Sequence, residues 1–363
     1  MKNIFARTAF LVIAALALAA CGGGNPGSVK NVSGSKKKSV LTPQSSGMPY
    51  EMMVVSQPAD YQNGAYDALF EILNDDIPGL PQPEAHFKIS RLTHENFTRT
   101  FRYCRNVIIM NIDRMYSTCK FKFSRDVYAS PQIVMTIQAP NADEFIRFVN
   151  DNAESLVSFF TRVEMNREAD NLQKEHNMPV EQKIKELFDC DIWIPKELNK
   201  TKVGKNFFWA STDNGTKDMN FVMYTYPYRD KNTFTAEYFA AKRDSALRYN
   251  VPGPHDDIYM TLQDDLWEVE DGTVHGQYAQ IARGLWTMAN YSMGGPFVSV
   301  SRVDEKNGRV VVAEAFIFAP GEHKKYMMRR MEAALYTLRL PDELDVERFK
   351  YDIEEVTINP ENQ

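Results

Sequence analysis

The chain has 363 residues, of which 44% are apolar and 25% charged, the composition of an ordinary folded protein with a sizeable core. Its formal net charge is −6 at pH 7, and it has no stripe of clustered Lys and Arg, which argues against a nucleic-acid partner. After the first twenty residues, no segment approaches the roughly 18 uncharged apolar residues that a membrane-spanning helix needs.

The first twenty residues have the pattern of a secretory signal. Lys2 and Arg7 form a short basic region, and an apolar run follows from Ala9 to Ala20. At about a dozen residues this run is too short to span a bilayer core of roughly 30 Å. It ends on small residues directly before Cys21, whose thiol can accept a diacylglycerol group. We therefore predict a lipoprotein signal peptide at 1–20 and a mature protein anchored to a membrane by the lipid on Cys21.

The residues after Cys21 predict a flexible tether and a location. Residues 21–48 contain few large apolar side chains and many Gly, Ser, Asn, Pro and Lys, so they cannot bury enough surface to fold. Gly22 is not an aspartate, which favours the outer membrane, and 22–28 has no acidic cluster, which favours its periplasmic face. Removing Lys2 and Arg7 with the signal changes the net charge from −6 to −8.

Residues 49–178 are predicted to form an N-terminal α+β half. The apolar patterns predict strands at Tyr50–Ser56, Phe87–Leu92, Asn106–Asp113, Cys119–Phe123 and Ile133–Ala139. A short helix is predicted at Tyr66–Leu73. Asn141, with Glu144 three residues later, forms a capping box for a longer amphipathic helix that extends to Val163. A polar segment, 164–177, follows it.

Two cysteines of this half leave their redox state open. Cys104 and Cys119 flank a plausible hairpin, so a disulfide between them is sterically feasible in an oxidising compartment. The alternative is a pair of buried free thiols. Cys190 is left without a cysteine partner in either case.

Residues 179–345 are predicted to form a C-terminal α+β half, and 346–363 a polar tail. Helices are predicted at Val180–Phe188, Ala236–Arg248 and His323–Leu340. Strands are predicted at Asp191–Ile194, Asn206–Ser211, Asn220–Tyr226, Gln277–Trp286, Phe297–Val303 and Arg309–Ala319. The fold class is therefore predicted to be α+β, with two sheet-and-helix halves. Each half ends with a strand, an Ala-Pro pair and a helix, which either a diverged internal duplication or chance explains.

Histidine and acidic residues are weak candidates for chemistry. His255, Asp256 and Asp257 form the densest set of hard metal ligands, but adjacent residues on an extended chain point apart. Carboxylates between Asp264 and Asp271 are better explained as a solvated face than as a glycosidase pair. The chain has no recognisable nucleophile, zinc, phosphate or dinucleotide motif. We therefore expect no metal, no cofactor and a non-enzymatic protein.

The aromatic residues suggest a different kind of site. Tyr224, Tyr226 and Tyr228 repeat at strand spacing, so one face of a strand carries three rings. Such a face could stack on a sugar or contact a partner strand. A Tyr ladder on a half-exposed sheet is the structural alternative.

Three motifs give the chain a family resemblance. They are Leu80-Pro81-Gln82-Pro83-Glu84-x-x-Phe87, Arg105-Asn106-Val107-Ile108-Ile109, and Arg283-Gly284-Leu285-Trp286 followed by Met293-Gly294-Gly295-Pro296-Phe297. With these motifs the chain resembles an uncharacterised family of Gram-negative envelope lipoproteins, domain of unknown function family 4837. The resemblance implies an envelope location and an α+β body. It supplies no catalytic residues.

The last of these motifs also predicts a candidate binding lip. Glycines at 294 and 295 permit positive φ and a close backbone approach, so with Pro296 they predict a turn. The lip would consist of this turn and its large apolar flanks: Trp286, Met293, Gly294, Gly295 and Phe297. A tight connection between two core strands is the simpler interpretation.

Together these patterns predict a non-enzymatic envelope lipoprotein that acts through protein contacts in envelope assembly or maintenance. The alternative is a lipoprotein that binds a ligand, such as a glycan, on its aromatic face. A hydrolase is the third and weakest interpretation. A convergent cleft with a few polar groups would favour the ligand, and a broad apolar patch with a polar rim would favour the protein partner.

Overall fold

The computed structural model describes residues 42–345 and Lys350. The predicted signal peptide at 1–20, the lipid site Cys21, most of the tether at 21–48 and most of the tail at 346–363 lie outside the described residues. Among the helices that are described, none is long and apolar enough to cross a membrane.

The described chain contains six helices and two sheets, which confirms the predicted α+β fold. The helices are α1 (Ala65–Leu73), α2 (Ala142–Asp151), α3 (Ala153–Glu175), α4 (Met178–Phe188), α5 (Ala236–Asn250) and α6 (Lys325–Leu335). The first sheet contains β1 (Glu51–Ser56), β2 (Lys88–Thr93), β3 (Asn106–Ile112), β4 (Lys120–Arg125) and β5 (Ile133–Ala139). The second contains β6 (Lys200–Gly204), β7 (Phe207–Ser211), β8 (Asp218–Pro227), β9 (Met260–Val274), β10 (Gln277–Met288), β11 (Tyr291–Asp304) and β12 (Arg309–Phe318).

The first sheet is mostly parallel and covered on both faces. Its order is β2-β1-β3-β5-β4, and only β4 runs antiparallel to its neighbour. Strands β1, β3 and β5 have nearly continuous apolar runs because side chains on both of their faces are buried. Helices α1, α2 and α3 cover one face through a core that includes Leu69, Phe145 and Phe160.

The second sheet is entirely antiparallel, in the order β6-β7-β8-β12-β11-β10-β9. Helices α4 and α6 cover one face, where Ile184 and Met331 are fully buried. Helix α5 covers the other face with Phe239 and Leu247. Each sheet thus lies within one of the predicted halves, 49–178 and 179–345, although the boundary between them stays a prediction.

The second core also receives a residue from the first part of the chain. Leu80, from the loop between α1 and β2, packs against the core under α4 and α6. Helices α3 and α6 meet directly, and the Nε of Arg330 donates to Oε1 of Glu168 at 3.0 Å. The α3 and α6 layers of the two sheets are therefore packed together within one compact unit.

Several predicted boundaries were wrong. The helix predicted to extend to Val163 is two helices, because the non-helical backbone of Asn152 separates α2 from α3. Helix α3 then continues to Glu175, through most of the segment that was predicted only to be polar. It does so because Glu164 and Arg167 are buried in hydrogen bonds with Asn106 rather than solvated.

The second half differs from the prediction at four elements. Residues 191–194 form no strand, only an isolated bridge from Asp191 to Arg339. Helix α6 ends at Leu335, five residues before the predicted end at Leu340. Strands β6 and β9 were not predicted, since both are sheet edges that expose charged side chains instead of showing an apolar pattern.

The strand, Ala-Pro and helix likeness between the halves is found in the structure, but it is local. Strand β5 is followed by α2, and β12 is followed by α6. Their surroundings differ, because β5 has a parallel neighbour in β3 whereas β12 pairs antiparallel on both sides. The way in which strands pair within each sheet therefore does not support a duplication of a whole layer.

Candidate ligand-binding cleft

A cleft of about 670 Å³ lies between the two sheet-and-helix layers. Its lining comes from α1 and the loop after it, from α3, from β10 and β11, and from α6. The volume falls within the roughly 300–1,000 Å³ that is usual for sites that bind small molecules. Chain segments far apart in sequence thus converge on a single concave surface.

Much of the cleft wall is apolar. It includes side chains from both layers of the molecule, which are Ile72, Ile77, Leu80, Val157, Val298 and Met328. Such a wall can exclude water from a bound apolar group, which is the main source of favourable free energy for binding.

A charged cluster interrupts this wall, formed by His86, Arg283, Lys325, Arg329 and Glu332. The Nη2 of Arg283 donates to Oε1 of Glu332 at 2.7 Å, and the Nη1 of Arg329 donates to Oε2 of Glu332 at 3.2 Å. The Nη2 of Arg329 also donates to Nδ1 of His86 at 3.1 Å. One carboxylate therefore holds two guanidinium groups side by side at the cleft.

Burial and charge shift the pKa values in this cluster. Burial, helped by the charge of Arg329, lowers the pKa of His86 to about 4, so the imidazole is neutral at pH 7. Burial alone would raise the pKa of Glu332, but Arg283 and Arg329 outweigh it and lower that pKa. Burial also lowers the pKa of Lys325, against the opposing charge of Glu84.

Two hydrogen-bond donors at the cleft have no acceptor among the described residues. They are the Nε of Arg329, whose side chain is about nine-tenths buried, and the Oγ1 of Thr161. A buried donor without an acceptor costs about 1–3 kcal/mol. A bound molecule that supplies an acceptor would remove this cost at both groups.

The loop after α1 shapes the cleft by binding the start of α6. Glu84 is buried, and its Oε1 and Oε2 accept from the backbone N–H groups of Lys324 and Lys325 at 2.7 and 3.0 Å. The Nζ of Lys325 donates back to the carbonyl of Ala85 at 2.6 Å. A carboxylate at a helix N-terminus satisfies free N–H groups and interacts favourably with the helix dipole.

Two glycines allow this loop to lie against the second sheet. A Cβ atom on Gly79 would lie 3.3 Å from the backbone N of Gly284. Gly284 itself has a φ of +148°, and a Cβ there would lie 2.3 Å from the carbonyl oxygen of Leu266. A side chain at Gly79 would push the loop away from the sheet, and a side chain at Gly284 would clash with the neighbouring strand β9.

Two of the three family motifs meet at this cleft. The segment from Leu80 to Phe87 supplies the loop that binds α6, and the Arg283-Gly284 pair supplies a charge and the close contact. In the sequence, these residues indicated only a family resemblance, and no site was predicted from them. The distance between the two motifs in the sequence does not indicate that they are in contact. The sequence feature that could have indicated a site was that both segments are family motifs.

The predicted binding lip is not a lip in the structure. Gly294, Gly295 and Pro296 lie within β11, and the turn between β10 and β11 is instead at Ala289 and Asn290. A Cβ on Gly295 would lie 2.0 Å from the carbonyl oxygen of Ile317 on the neighbouring β12, so strand packing requires this glycine.

The flanking residues of that predicted lip are covered as well. Trp286 and Phe297 are 1% and 2% exposed, and Met293 is partly buried beside the same core. Of the predicted lip residues, Phe297 contributes to the lining of the cleft. The indole N–H of Trp286 donates to the carbonyl of Ile317 at 3.3 Å. The simpler interpretation, a tight connection between two core strands, is also wrong, because these glycines lie within β11, where Gly295 allows a close approach to the neighbouring strand β12.

The predicted aromatic face lies against α5. Tyr224 and Tyr226 on β8 are buried in the core beneath this helix. Tyr228 is partly exposed and packs against the edge of the same core. Burial raises the pKa of both Tyr224 and Tyr226. The alternation in sequence gave the right shared face, but the face is covered by a helix instead of being open to a ligand.

Cys104 and Cys119 are both free in the structure, as is Cys190. The feasible disulfide is not formed, because β4 pairs with β5 instead of forming a hairpin with β3. The registers place Cys104 before the start of β3 and Cys119 level with its far end. A disulfide requires Cα atoms within about 7 Å.

The acidic and histidine candidates do not converge. His255, Asp256 and Asp257 are exposed in the loop before β9, and the carboxylates from Asp264 to Asp271 lie along the outer edge strand β9. Across the described part of the chain, no group of three or more His, Cys, Asp or Glu side chains is arranged to hold a metal ion.

A second cavity, of about 890 Å³, lies beside the turn at Pro341–Glu343. Its charged lining is largely engaged in ion pairs, including Arg302 with Glu343 and Asp304 with Arg309. The cleft with the charged cluster, where both layers of the molecule and two of the family motifs meet, is therefore the candidate site.

Two family models match the chain. Residues 177–337 match the domain of unknown function DUF4837, and residues 45–173 match the domain of unknown function DUF8532. The resemblance to an uncharacterised domain family is confirmed, with the refinement that the two halves match separate families. No curated protein matches the chain.

Proposed function

We propose that this chain, built from two domains of unknown function, is a non-enzymatic binding lipoprotein that holds a small organic molecule in the cleft between its two layers. The observation that carries the proposal is the cleft itself, where apolar walls surround a charged cluster and two family motifs meet. A convergent cleft of this kind is the feature that favours a ligand over a protein partner.

The chemistry of the charged cluster suits binding better than catalysis. The lowered pKa of Glu332 makes it a weak base, and its two oxygens are already engaged by Arg283 and Arg329. The neutral His86 accepts a hydrogen bond from Arg329 through Nδ1. Such a preorganised arrangement can orient a bound polar group without proton transfer.

We also propose that the protein is lipid-anchored through Cys21 and faces the periplasm from the outer membrane. The support is the basic, apolar and small-residue pattern that ends at Cys21, together with Gly22 after it. The protein-contact role in envelope assembly or maintenance stays a prediction from the sequence.

The proposed ligand can be tested by native mass spectrometry of the full chain carrying Cys21→Ser, which removes the lipid site and the need for detergent. We expect a mass adduct on protein purified from its natural host. Val157→Trp should abolish the adduct by filling the cleft, whereas Lys174→Trp, on the exposed side of the same helix, should retain it. An adduct that survives Val157→Trp in a folded protein, or no adduct on any sample, would contradict the proposal.

A further inference from the structure

We propose that the ligand of this cleft is an anionic amphiphile, with a carboxylate or phosphate group at the charged cluster and an apolar chain along the wall. This inference rests on the proposed binding function and adds the chemical class of the ligand. The observations that carry it are the charge balance of the cluster, its donors without acceptors and the apolar lining around it.

The charge balance of the cluster is positive. Arg283, Lys325 and Arg329 each carry a positive charge, and among the cluster residues only Glu332 carries a negative one. His86 adds no charge at pH 7 because its imidazole is neutral. The buried carboxylate of Glu84, beside Lys325, offsets one of these charges, so the cluster together with Glu84 keeps one net positive charge. A positive charge that is partly shielded from water attracts an anion more strongly than the same charge in water would.

Three acidic residues also line the cleft, and they must be weighed against this balance. Glu71, Asp75 and Glu154 are exposed to solvent, whereas Lys325 and Arg329 are buried. Water and salt screen exposed charges much more than buried ones. The acidic residues therefore oppose an anion weakly at the mouth, and the buried cations govern binding inside.

The hydrogen-bonding groups of the cluster also require an acceptor. Arginine and lysine have donors only, and the Nε of Arg329 has no acceptor among the described residues. The hydroxyl of Thr161 also has no partner there and can donate to an oxyanion, although it could accept as well. An oxyanion brings several acceptor sites, whereas an ammonium group would bring further donors. The same cluster thus favours an anion and disfavours a cation through both charge and hydrogen bonding.

The rest of the ligand follows from the wall. Side chains of Ile72, Leu80, Val157 and Met328 line the space around the cluster, and each methylene group that is buried against them strengthens binding. A fully polar anion such as free phosphate would leave this wall unused.

The experiment is isothermal titration calorimetry on the full chain with Cys21→Ser, using four probes of equal chain length: decanoate, decyl phosphate, decanol and decylamine. We expect at least one of the two anions to bind about tenfold or more tightly than decanol and decylamine. The stronger of the two anions identifies the head group as carboxylate or phosphate. Higher salt should weaken binding of the anion and leave decanol unchanged.

The variants Arg329→Gln and Thr161→Val should reduce the affinity for the anion about tenfold toward that of decanol. Arg330→Gln is the matched control, because Arg330 is the adjacent arginine on α6 but pairs with Glu168 and Glu197 away from the cleft lining. Thr161→Val changes no charge and serves if Arg329→Gln does not fold, as judged by circular dichroism.

The outcomes separate this inference from the binding function. If decanol or decylamine binds as tightly as the anions, and Val157→Trp blocks all probes, the anionic class is overturned while the cleft remains a binding site. If no probe binds, the anionic amphiphile is overturned, and the adduct experiment decides the binding function independently. If Val157→Trp leaves anion binding intact, both proposals fail.

Discussion

His86 is the residue of the cleft whose protonation should be visible in the stability of the protein. Its pKa is lowered from 6.5 to about 4 by burial and by Arg329, while Asp75 and Glu332 pull it the other way and Lys325 adds to the lowering. The unfolded chain therefore binds a proton at a higher pH than the folded protein. Stability from this group is full above pH 6.5 and is lost as pH falls toward 4.

The variant His86→Gln should remove this dependence, because glutamine can still accept from Arg329 but does not titrate. We expect the free energy of unfolding of the wild type to fall more steeply than that of His86→Gln between pH 6.5 and pH 4, measured by urea denaturation. His255→Gln, at an exposed histidine, should follow the wild type. Parallel curves for all three proteins would show that His86 titrates normally in the folded state.

For single residues, the sequence predicted local geometry correctly but did not predict the tertiary neighbours. The spacing of Tyr224 and Tyr226 correctly placed both rings on one face, because alternation is a local property of a strand. That α5 covers this face depends on tertiary packing, which the spacing does not contain. Gly295 was correctly singled out for close backbone approach, but the partner strand β12 could not be identified from the motif.

Among the elements, α6 depends most directly on a distant part of the chain. Its first backbone N–H groups donate to Glu84, which belongs to the loop that also forms one side of the cleft. Glu84→Ala would leave those buried groups without an acceptor, and each unsatisfied group costs about 1–3 kcal/mol. We therefore expect a loss of about 2–5 kcal/mol in the free energy of unfolding.

Hydrogen exchange can locate this effect. In Glu84→Ala, the amides of Lys324 and Lys325 should lose protection before the rest of α6, and affinity for the cleft ligand should decrease. Glu322→Ala, at an exposed residue close in sequence, should change neither the stability nor the exchange. Unchanged protection at both amides in Glu84→Ala would mean that the loop does not hold the helix.

The elements that the sequence predicted well are those with a continuous or periodic apolar pattern. Strands β1, β3, β5 and β12 are buried on both faces and stand out as apolar runs. Strand β9 was not predicted because it is an edge strand whose middle exposes Asp264, Asp265 and other charged residues. Edge strands are defined by their neighbours as much as by their own side chains.

For the whole molecule, the fold class could be predicted but the site could not. The cleft combines α1, α3 and α6 with two strands of the second sheet, so its lining is set by how the layers pack. Local periodicity predicts each helix or strand of the lining separately, but it does not predict the distances between them. The motifs around Glu84 and Arg283 contain two of the chain segments that form the cleft. Nothing in the sequence showed that these two segments meet.

The location of the protein decides which ligands can reach the cleft, and Cys21 makes it testable. We expect the wild type to fractionate with membranes and Cys21→Ser to be released in soluble form, while Cys190→Ser should stay with the membranes because Cys190 is a buried thiol. Immunoblots of membrane and soluble fractions measure this directly. A soluble wild type would contradict the lipid anchor.

Protease treatment of intact and then permeabilised cells, detected with an antibody against residues 42–345, gives the orientation. Because no acidic cluster follows Cys21, we expect protection on intact cells and digestion after permeabilisation. An anionic amphiphile would then have to come from the periplasm or the adjoining membrane leaflets. Digestion on intact cells would instead place the cleft outside the cell, where it would bind amphiphiles from the surroundings.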